Sequence, residues 1–241
     1  MRASLFRIIL VSFVFFFLVA HSSAESASGK GDLISKVVNA YGGKGLLLKV
    51  RAVSAEGRIK EYLSDDEGTY YRYMTRERKL LVDIRYSKTS EKRILDGRNG
   101  YRGTDGRMEK VIGPPFDAMV YQYNQLNLPY GLIDGSLKLI DSWKDTFNGN
   151  EVEVLKLEDA YGYGIEALVN PKDFLIQRVI GRFTAGNHQA SLSAALTDFR
   201  RVNGILMPFK IINYAGDTRL SETLITSYKI NPDVEDSVFN P

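Results

Sequence analysis

The sequence contains no cysteine in its 241 residues. That absence excludes a disulfide framework, a thiol nucleophile, a cysteine-ligated zinc and a lipid attached through a cysteine behind an export signal. Histidine is nearly as scarce, and beyond residue 24 only His188 remains, in the stretch AGNHQ. One imidazole between Asn and Gln in a Gly-containing stretch reads as a solvated turn residue, and a histidine-based metal site needs several ligands. No G-x-S-x-G elbow occurs to frame a Ser-His-Asp arrangement. Charge of one sign is lacking too. Arg2 and Arg7 are the charged residues of the first 24, so residues 25–241 hold 30 basic and 29 acidic side chains, a net of +1. Such a balance leaves no electrostatic footprint for nucleic acid.

The one long apolar run lies at the start. Arg2 and Arg7 precede Ile8 to Ala20, and Ser22-Ser23-Ala24 places small residues where a signal peptidase cuts. The run is shorter than the roughly 20 residues of a lasting membrane anchor. The expectation is a signal peptide over 1–24, cleaved after Ala24, and an exported chain of one domain, 25–241. Without disulfides, that domain must rest on its hydrophobic core. No repeat, low-complexity tract or linker divides it.

Residues 25–31 (ESASGKG) read as a short mobile leader. Leu33, Ile34, Val37, Val38 and Tyr41 then recur at helical spacing, and Gly42-Gly43 ends the run. From about residue 50 the period becomes two. In KLLVDIRY, Leu80, Val82, Ile84 and Tyr86 share one face, opposite Lys79, Leu81, Asp83 and Arg85. Similar runs follow at 69–74, 91–95, 151–157, 163–170, 174–183, 189–199, 205–214 and 219–230, bounded by Gly, Asn, Asp and Pro at hairpin distances. Short connections make neighbouring strands antiparallel. In FLIQRVI, strict alternation puts Phe174, Ile176 and Ile180 on one side and Leu175 and Val179 on the other, so both faces are apolar. Pro208 cannot donate to a ladder, which predicts a bend or an edge there. One segment breaks the pattern: after Pro114-Pro115, residues Phe116, Met119, Val120, Tyr123 and Leu126 follow helical spacing to Pro129 and Gly131. Leu132, Ile133 and Leu137 to Ile140 extend this reading to a second short helix.

Chemistry-bearing motifs are few. The stretch DGRNGYRGTDGR (96–107) has glycine at every third position, yet lacks both the Gly-Lys-Ser/Thr tail of a phosphate loop and the acidic ligands of a calcium loop. Asp96-Gly97, Asn99-Gly100 and Asp105-Gly106 instead read as hairpin turns about a very short strand. Acidic residues such as Asp65-Asp66-Glu67 and Glu151 to Asp159 lie in a turn and on an exposed strand face, and nothing local selects a catalytic pair.

Several motifs together resemble a known family. They are Ala40-Tyr41-Gly42-Gly43 closing the first helix, Val53 through Gly57, TRERKLLVDIRY and ILDGRNGYR. Late in the chain come VNPKDFLIQRV, DFRRVNGILMPFKI and ITSYKINPDVEDSVFNP. In order and spacing they resemble the LolA/LolB-like periplasmic carriers that sort outer-membrane lipoproteins. Tyr101 stands where that family usually has tryptophan. Its Arg-Pro pair is absent, with Arg76 and Arg78 the two candidates for its arginine. The resemblance implies an α+β fold, an incomplete antiparallel β-barrel wrapped around an N-terminal helix and a central helical lid. It implies a soluble, monomeric periplasmic carrier that is not an enzyme, with no cofactor and no metal. Its partners would be lipid or lipoprotein acyl chains, an inner-membrane donor and an outer-membrane acceptor. The alternative on the same fold is an envelope sensor that binds lipoprotein or lipid without transporting it. Lipid would then meet Val82, Ile84, Phe116, Met119, Val120, Tyr123, Phe174, Ile176 and Phe209.

Overall fold

Alternation dominates the chain between residues 52 and 230, and it resolves into one sheet. In the computed structural model, which describes residues 23–185 and 188–241, thirteen antiparallel strands pair side by side. All but the last two residues of the expected signal peptide lie outside the described residues. The strands are β1 (Ala52–Glu61), β2 (Asp66–Thr75), β3 (Lys79–Tyr86), β4 (Ser90–Asp96), β5 (Asn99–Thr104), β6 (Arg107–Val111), β7 (Leu137–Phe147), β8 (Asn150–Asp159), β9 (Gly164–Val169), β10 (Ile176–Ala185), β11 (His188–Val202), β12 (Ile205–Ala215) and β13 (Thr218–Ile230). Their order is β6-β5-β4-β3-β2-β1-β13-β12-β11-β10-β9-β8-β7, so the first and last strands meet in the middle. The free edges are β6 and β7, which are consecutive in sequence. Between them the chain forms α3 (Pro114–Leu126) and α4 (Tyr130–Asp134). This is an open barrel with a helical insertion connecting its two edges.

The concave face holds the main core. In β3, Leu80, Val82 and Ile84 point inward as the alternation predicts, while Leu81 faces out, under Phe239 and Tyr73. A C-terminal 3-10 turn, Asp236–Phe239, covers that outer patch, with Phe239 stacked on Tyr73 at 5.5 Å. The first helix, α1 (Ser23–Ala40), buries Leu33, Val37 and Val38 against the barrel, with Tyr41 just past its end. Its described part includes residues 25–31, so the segment read as a mobile leader is helical. Gly42 and Gly43 end it at φ 127° and 87°, conformations that favour glycine. A Cβ on Gly42 would lie 2.8 Å from the Gly204 carbonyl oxygen, so the motif also allows close docking on the β11–β12 turn. Tyr41 Oη accepts the Ile176 N–H at 3.1 Å, and the Tyr41 carbonyl accepts the Leu206 N–H at 3.0 Å. The short helix α2 (Lys44–Leu47) follows. Asn231 fastens the chain beyond it: its Oδ1 accepts the Arg51 N–H at 2.7 Å, and its Nδ2 donates to the Lys49 carbonyl at 2.9 Å.

Three further expectations change. Leu137 to Ile140 begin β7 and are not helical; only Tyr130–Asp134 forms the second short helix. Asn99-Gly100 lies within β5, and the hairpin turns are Gly97-Arg98 and Asp105-Gly106. Strict alternation fails in FLIQRVI because Phe174 has φ 58° and the register shifts between Ile176 and Arg178. That irregularity turns Ile176 and Val179 to the same inner core, while Ile180 joins an outer cluster with Val152, Val154 and Leu168. Pro208, expected at a bend or an edge, lies in an interior strand but at a local edge of it, where β12 parts from β13: pairing with β13 begins only at Lys210. Tyr228 closes the seam, its hydroxyl donating to the Pro208 carbonyl at 2.5 Å.

Candidate functional site

The concave face is not filled. A cavity of about 320 Å³ lies between α3 and one half of the sheet, within the size range of small-molecule sites. Its apolar wall includes Ile59, Tyr70, Ile84, Leu192 and Ile211, and α3 contributes Ala118, Met119, Tyr121 and Leu126. Leu63 and Tyr86 line it toward the β1–β2 turn, and Leu63 is 70 % exposed there. Burial pushes the Tyr86 hydroxyl up to about 12.

The same cavity has a charged wall. Arg72, Glu91, Arg93 and Arg102 project from β2, β4 and β5. Alternation explains this: Arg72 shares its face with Tyr70 and Met74, and Arg93 shares its face with Leu95. Glu91 accepts from Arg93 Nε at 2.6 Å and lies 2.9 Å from Arg102 Nε. Burial alone would raise the Glu91 carboxyl, but the two guanidinium groups outweigh it and hold it below the usual range. Arg93 also donates to Gln122 Oε1 at 3.2 Å, tying β4 to α3.

The other half of the concave face is closed. Tyr121 packs against Gly181, where an added Cβ would meet the ring at 2.3 Å, and its hydroxyl donates to the Val179 carbonyl at 3.0 Å. Nearer the β6 edge, Phe116 packs on Gly100, where a Cβ would come within 2.7 Å of its ring. One glycine of the triplet stretch thus makes room for the helix and does not turn the chain.

The two arginines after β2 have different tasks. Arg76 is mostly buried and donates to the carbonyls of Leu47, Val50 and Tyr130 at 3.2–3.3 Å, and it pairs with Asp134. It therefore ties α2, the lead-in to β1 and α4 together. The Asp134 carboxyl would rise with burial, but Ser136 and Arg76 hold it below the usual carboxylate range. Arg78 turns the other way: its guanidinium lies 3.1 Å from Asp159 and 3.9 Å from the Tyr161 ring centroid. Its backbone N–H donates to Tyr123 Oη at 3.1 Å, and Tyr123 donates to the Thr75 carbonyl.

Of the residues expected to meet lipid, Ile84 and Met119 line the cavity. Val82 and Val120 are fully buried in the core beside it, and Tyr123 is held at the β2–β3 turn. Phe174 lies under Lys36 of α1, with the ammonium 5.4 Å from its ring centroid, and Ile176 is bound to Tyr41. Phe209 packs edge-on against Tyr228 at 5.2 Å, at the seam between β12 and β13. All nine belong to one continuous hydrophobic core, but only two of them border the cavity. Arg72, Glu91, Arg93 and Gln122 are site residues that the hydrophobic reading passed over. Their signal was present: an arginine on the apolar face of TYYRYM and another on that of EKRIL. Among the described residues no group of three or more His, Asp or Glu side chains is placed to hold a metal ion. Nor is any helix there long and apolar enough to cross a membrane.

No family model and no curated protein matches this sequence. Solved structures do match its shape. A LolA superfamily protein from Nitrosomonas europaea superposes with a TM-score of 0.54 at 14 % identity, over 87 % of this chain and 97 % of that one. A DUF1329 family protein from Desulfovibrio piger gives 0.55 at 10 % identity, over 87 % and 96 %. A domain from Vibrio parahaemolyticus, named for outer membrane lipoprotein sorting, gives 0.51 at 8 % identity, over 87 % and 95 %. The chain has the open-barrel fold of the LolA superfamily.

Proposed function

We propose that this protein is an exported, non-enzymatic lipid carrier, holding acyl chains of lipids or lipoproteins between the concave sheet and α3. The observation that carries the reading is the cavity itself, a pocket of about 320 Å³ with one apolar wall, roofed by a helix. A fold that needed only stability would fill such a space, because voids in a core are costly. Each buried methylene contributes about 0.8 kcal/mol, so one long acyl chain brings on the order of 10 kcal/mol of burial. The lipoprotein-sorting name of one structural neighbour agrees with this use of the fold.

In this reading α3 is a lid. It follows Gly113, at φ 63° and ψ −142°, and opens with Pro114-Pro115, so its entry is a defined joint. Arg76 holds the base of the insertion by binding the Tyr130 carbonyl and Asp134. We assign Arg76, and not Arg78, to the place of the carriers' arginine, because the Arg76 guanidinium binds α4 of the insertion whereas the Arg78 guanidinium pairs with Asp159 of β8. Cargo would pass between an inner-membrane donor and an outer-membrane acceptor. Export and extraction test the core of the proposal. Full-length protein expressed in a bacterial envelope should lose residues 1–24 and co-purify with lipid detectable by mass spectrometry after solvent extraction. A purified protein that carries no lipid and takes none up from vesicles would sink the proposal.

A further inference from the structure

Arg72 is 3 % exposed, yet it lines the cavity. Its Nη2 donates to Tyr228 Oη at 3.2 Å, and its guanidinium sits 5.5 Å from that ring's centroid. Nε and Nη1 are buried and make no hydrogen bond of normal geometry, with the Tyr70 hydroxyl the nearest polar group beside Tyr228, so the guanidinium's donors are under-satisfied and meet no anion. Among the described residues no carboxylate pairs with it. The groups acting on it are the hydroxyls of Tyr228, Tyr70 and Tyr130. Burial raises the Tyr228 and Tyr130 hydroxyls, so these stay neutral and supply no countercharge. The carboxylates of the cavity do not serve either. Glu91 is taken by Arg93 and Arg102, and Glu61 lies at the turn end of β1, where it accepts from Ser64 Oγ.

A buried guanidinium without an anion is among the more costly arrangements a core can hold. It persists where something else completes it. We infer that Arg72 anchors the negatively charged end of an amphiphile, a carboxylate or a phosphate monoester, held in the cavity with its hydrocarbon toward the β1–β2 turn. Arg72 stands six residues into β2 from Asp66, which is about 20 Å of strand. Along that length Ile84, Ile59, Ile211 and Met119 offer an apolar path to Leu63 at the mouth. The inference rests on the carrier reading and narrows it: the cargo is a free anionic amphiphile with its charged end inside.

Binding of three probes to the whole protein tests this: palmitate, hexadecyl phosphate and uncharged methyl palmitate, followed by calorimetry or competition with a fluorescent lipid. At least one anion should bind 10-fold or more tightly than the ester, and the better anion identifies the headgroup chemistry. Arg72→Met should erase that preference, lowering the anion-to-ester ratio to about 1, and Arg72→Lys should restore part of it. The ligand-free Arg72→Met protein should melt no lower than the parent, since an unmatched charge has been removed. If all three probes bind equally, Arg72 is not an anchor although the carrier reading survives. If none binds, both readings fail. A poorly folded Arg72→Met would itself count against the inference, and the parent protein's anion-to-ester ratio decides it independently.

Discussion

Beneath α3 the barrel has two dissimilar sides. On β7 to β10, Leu137, Leu155, Leu157, Ile165, Ala167, Val169, Ile176 and Val179 are all buried in one continuous core. On β1 to β5 and β11 to β13 the same helix roofs a cavity whose wall carries three arginines. Both sides are antiparallel strands with inward apolar residues, so strand type does not separate them. Side-chain size and charge do. Ala167 and Gly181 are small enough for α3 to settle on the sheet, whereas on the other side the long Arg93 side chain spans to Gln122. The closed side provides stability, and the hollow side is available for a ligand.

The contrast predicts an ordering of mutational effects. Leu157 is fully buried at the centre of the closed side. Leu157→Ala should cost about 2–5 kcal/mol, the usual range for emptying a filled core position, read from the urea midpoint. A loss below about 1 kcal/mol would mean that this side is as loosely packed as the other. Next comes Arg76→Met, which removes a charged donor from three carbonyls and from Asp134. Hydrogen bonds to charged groups contribute about 1.5–3 kcal/mol each, but water can replace some of these, so a total near 2 kcal/mol is expected. Its protease sensitivity should rise around residues 112–136 and not in β8 to β10.

How far the sequence revealed this arrangement differs between the two sides. The strand pattern of β3, the α3 helix and the Gly42-Gly43 stop were legible, because each is a local periodicity or a backbone conformation. The open barrel followed from resemblance to carriers and not from periodicity. Ile176 and Val179 were assigned to opposite faces because a bulge at 176–178 is invisible to a strict period of two. β7 was partly read as helix because an edge strand with mostly exposed residues, such as Ile140 and Trp143, gives little alternation. The cavity itself was the least legible. Searching for apolar residues finds filled core as readily as a pocket, and only Ile84 and Met119 of the nine border the space. An arginine within an apolar alternation was the better signal, since a charge on an inward face requires an explanation that a leucine does not.

Filling the hollow side separates the two roles further. Ala118 lines the cavity from α3. Ala118→Trp should occupy space that is otherwise empty, changing stability by less than about 1 kcal/mol because no packed neighbour has to move. Lipid uptake from vesicles should nonetheless fall by 10-fold or more. Unchanged uptake with a folded protein would place the cargo elsewhere, and a large loss of stability would mean the space was already filled.

The smallest effect expected is the acid limb of stability, and it has the same sign on both sides. Asp134, which pairs with Arg76, and Glu91, which pairs with Arg93 and Arg102, are both held below their ordinary carboxylate values. A depressed carboxyl contributes stability that is fully present above its unfolded pKa, about 4, and lost as the pH falls through the lower folded value. Stability should thus be flat with respect to these two groups from pH 7 to about 5 and decline below about 4. Asp134 is 28 % exposed at its side chain and Glu91 16 %, so solvent screening limits each contribution to about 1 kcal/mol or less. Asp134→Asn and Glu91→Gln should each lower stability at pH 7 and flatten part of the acid limb, the parent and variant curves converging toward pH 3. Curves that stay parallel down to pH 3 would mean that neither pair is coupled to folding. Convergence for Glu91→Gln alone would place the acid-sensitive contact on the hollow side, against the charged wall of the cavity and away from the latch at Arg76.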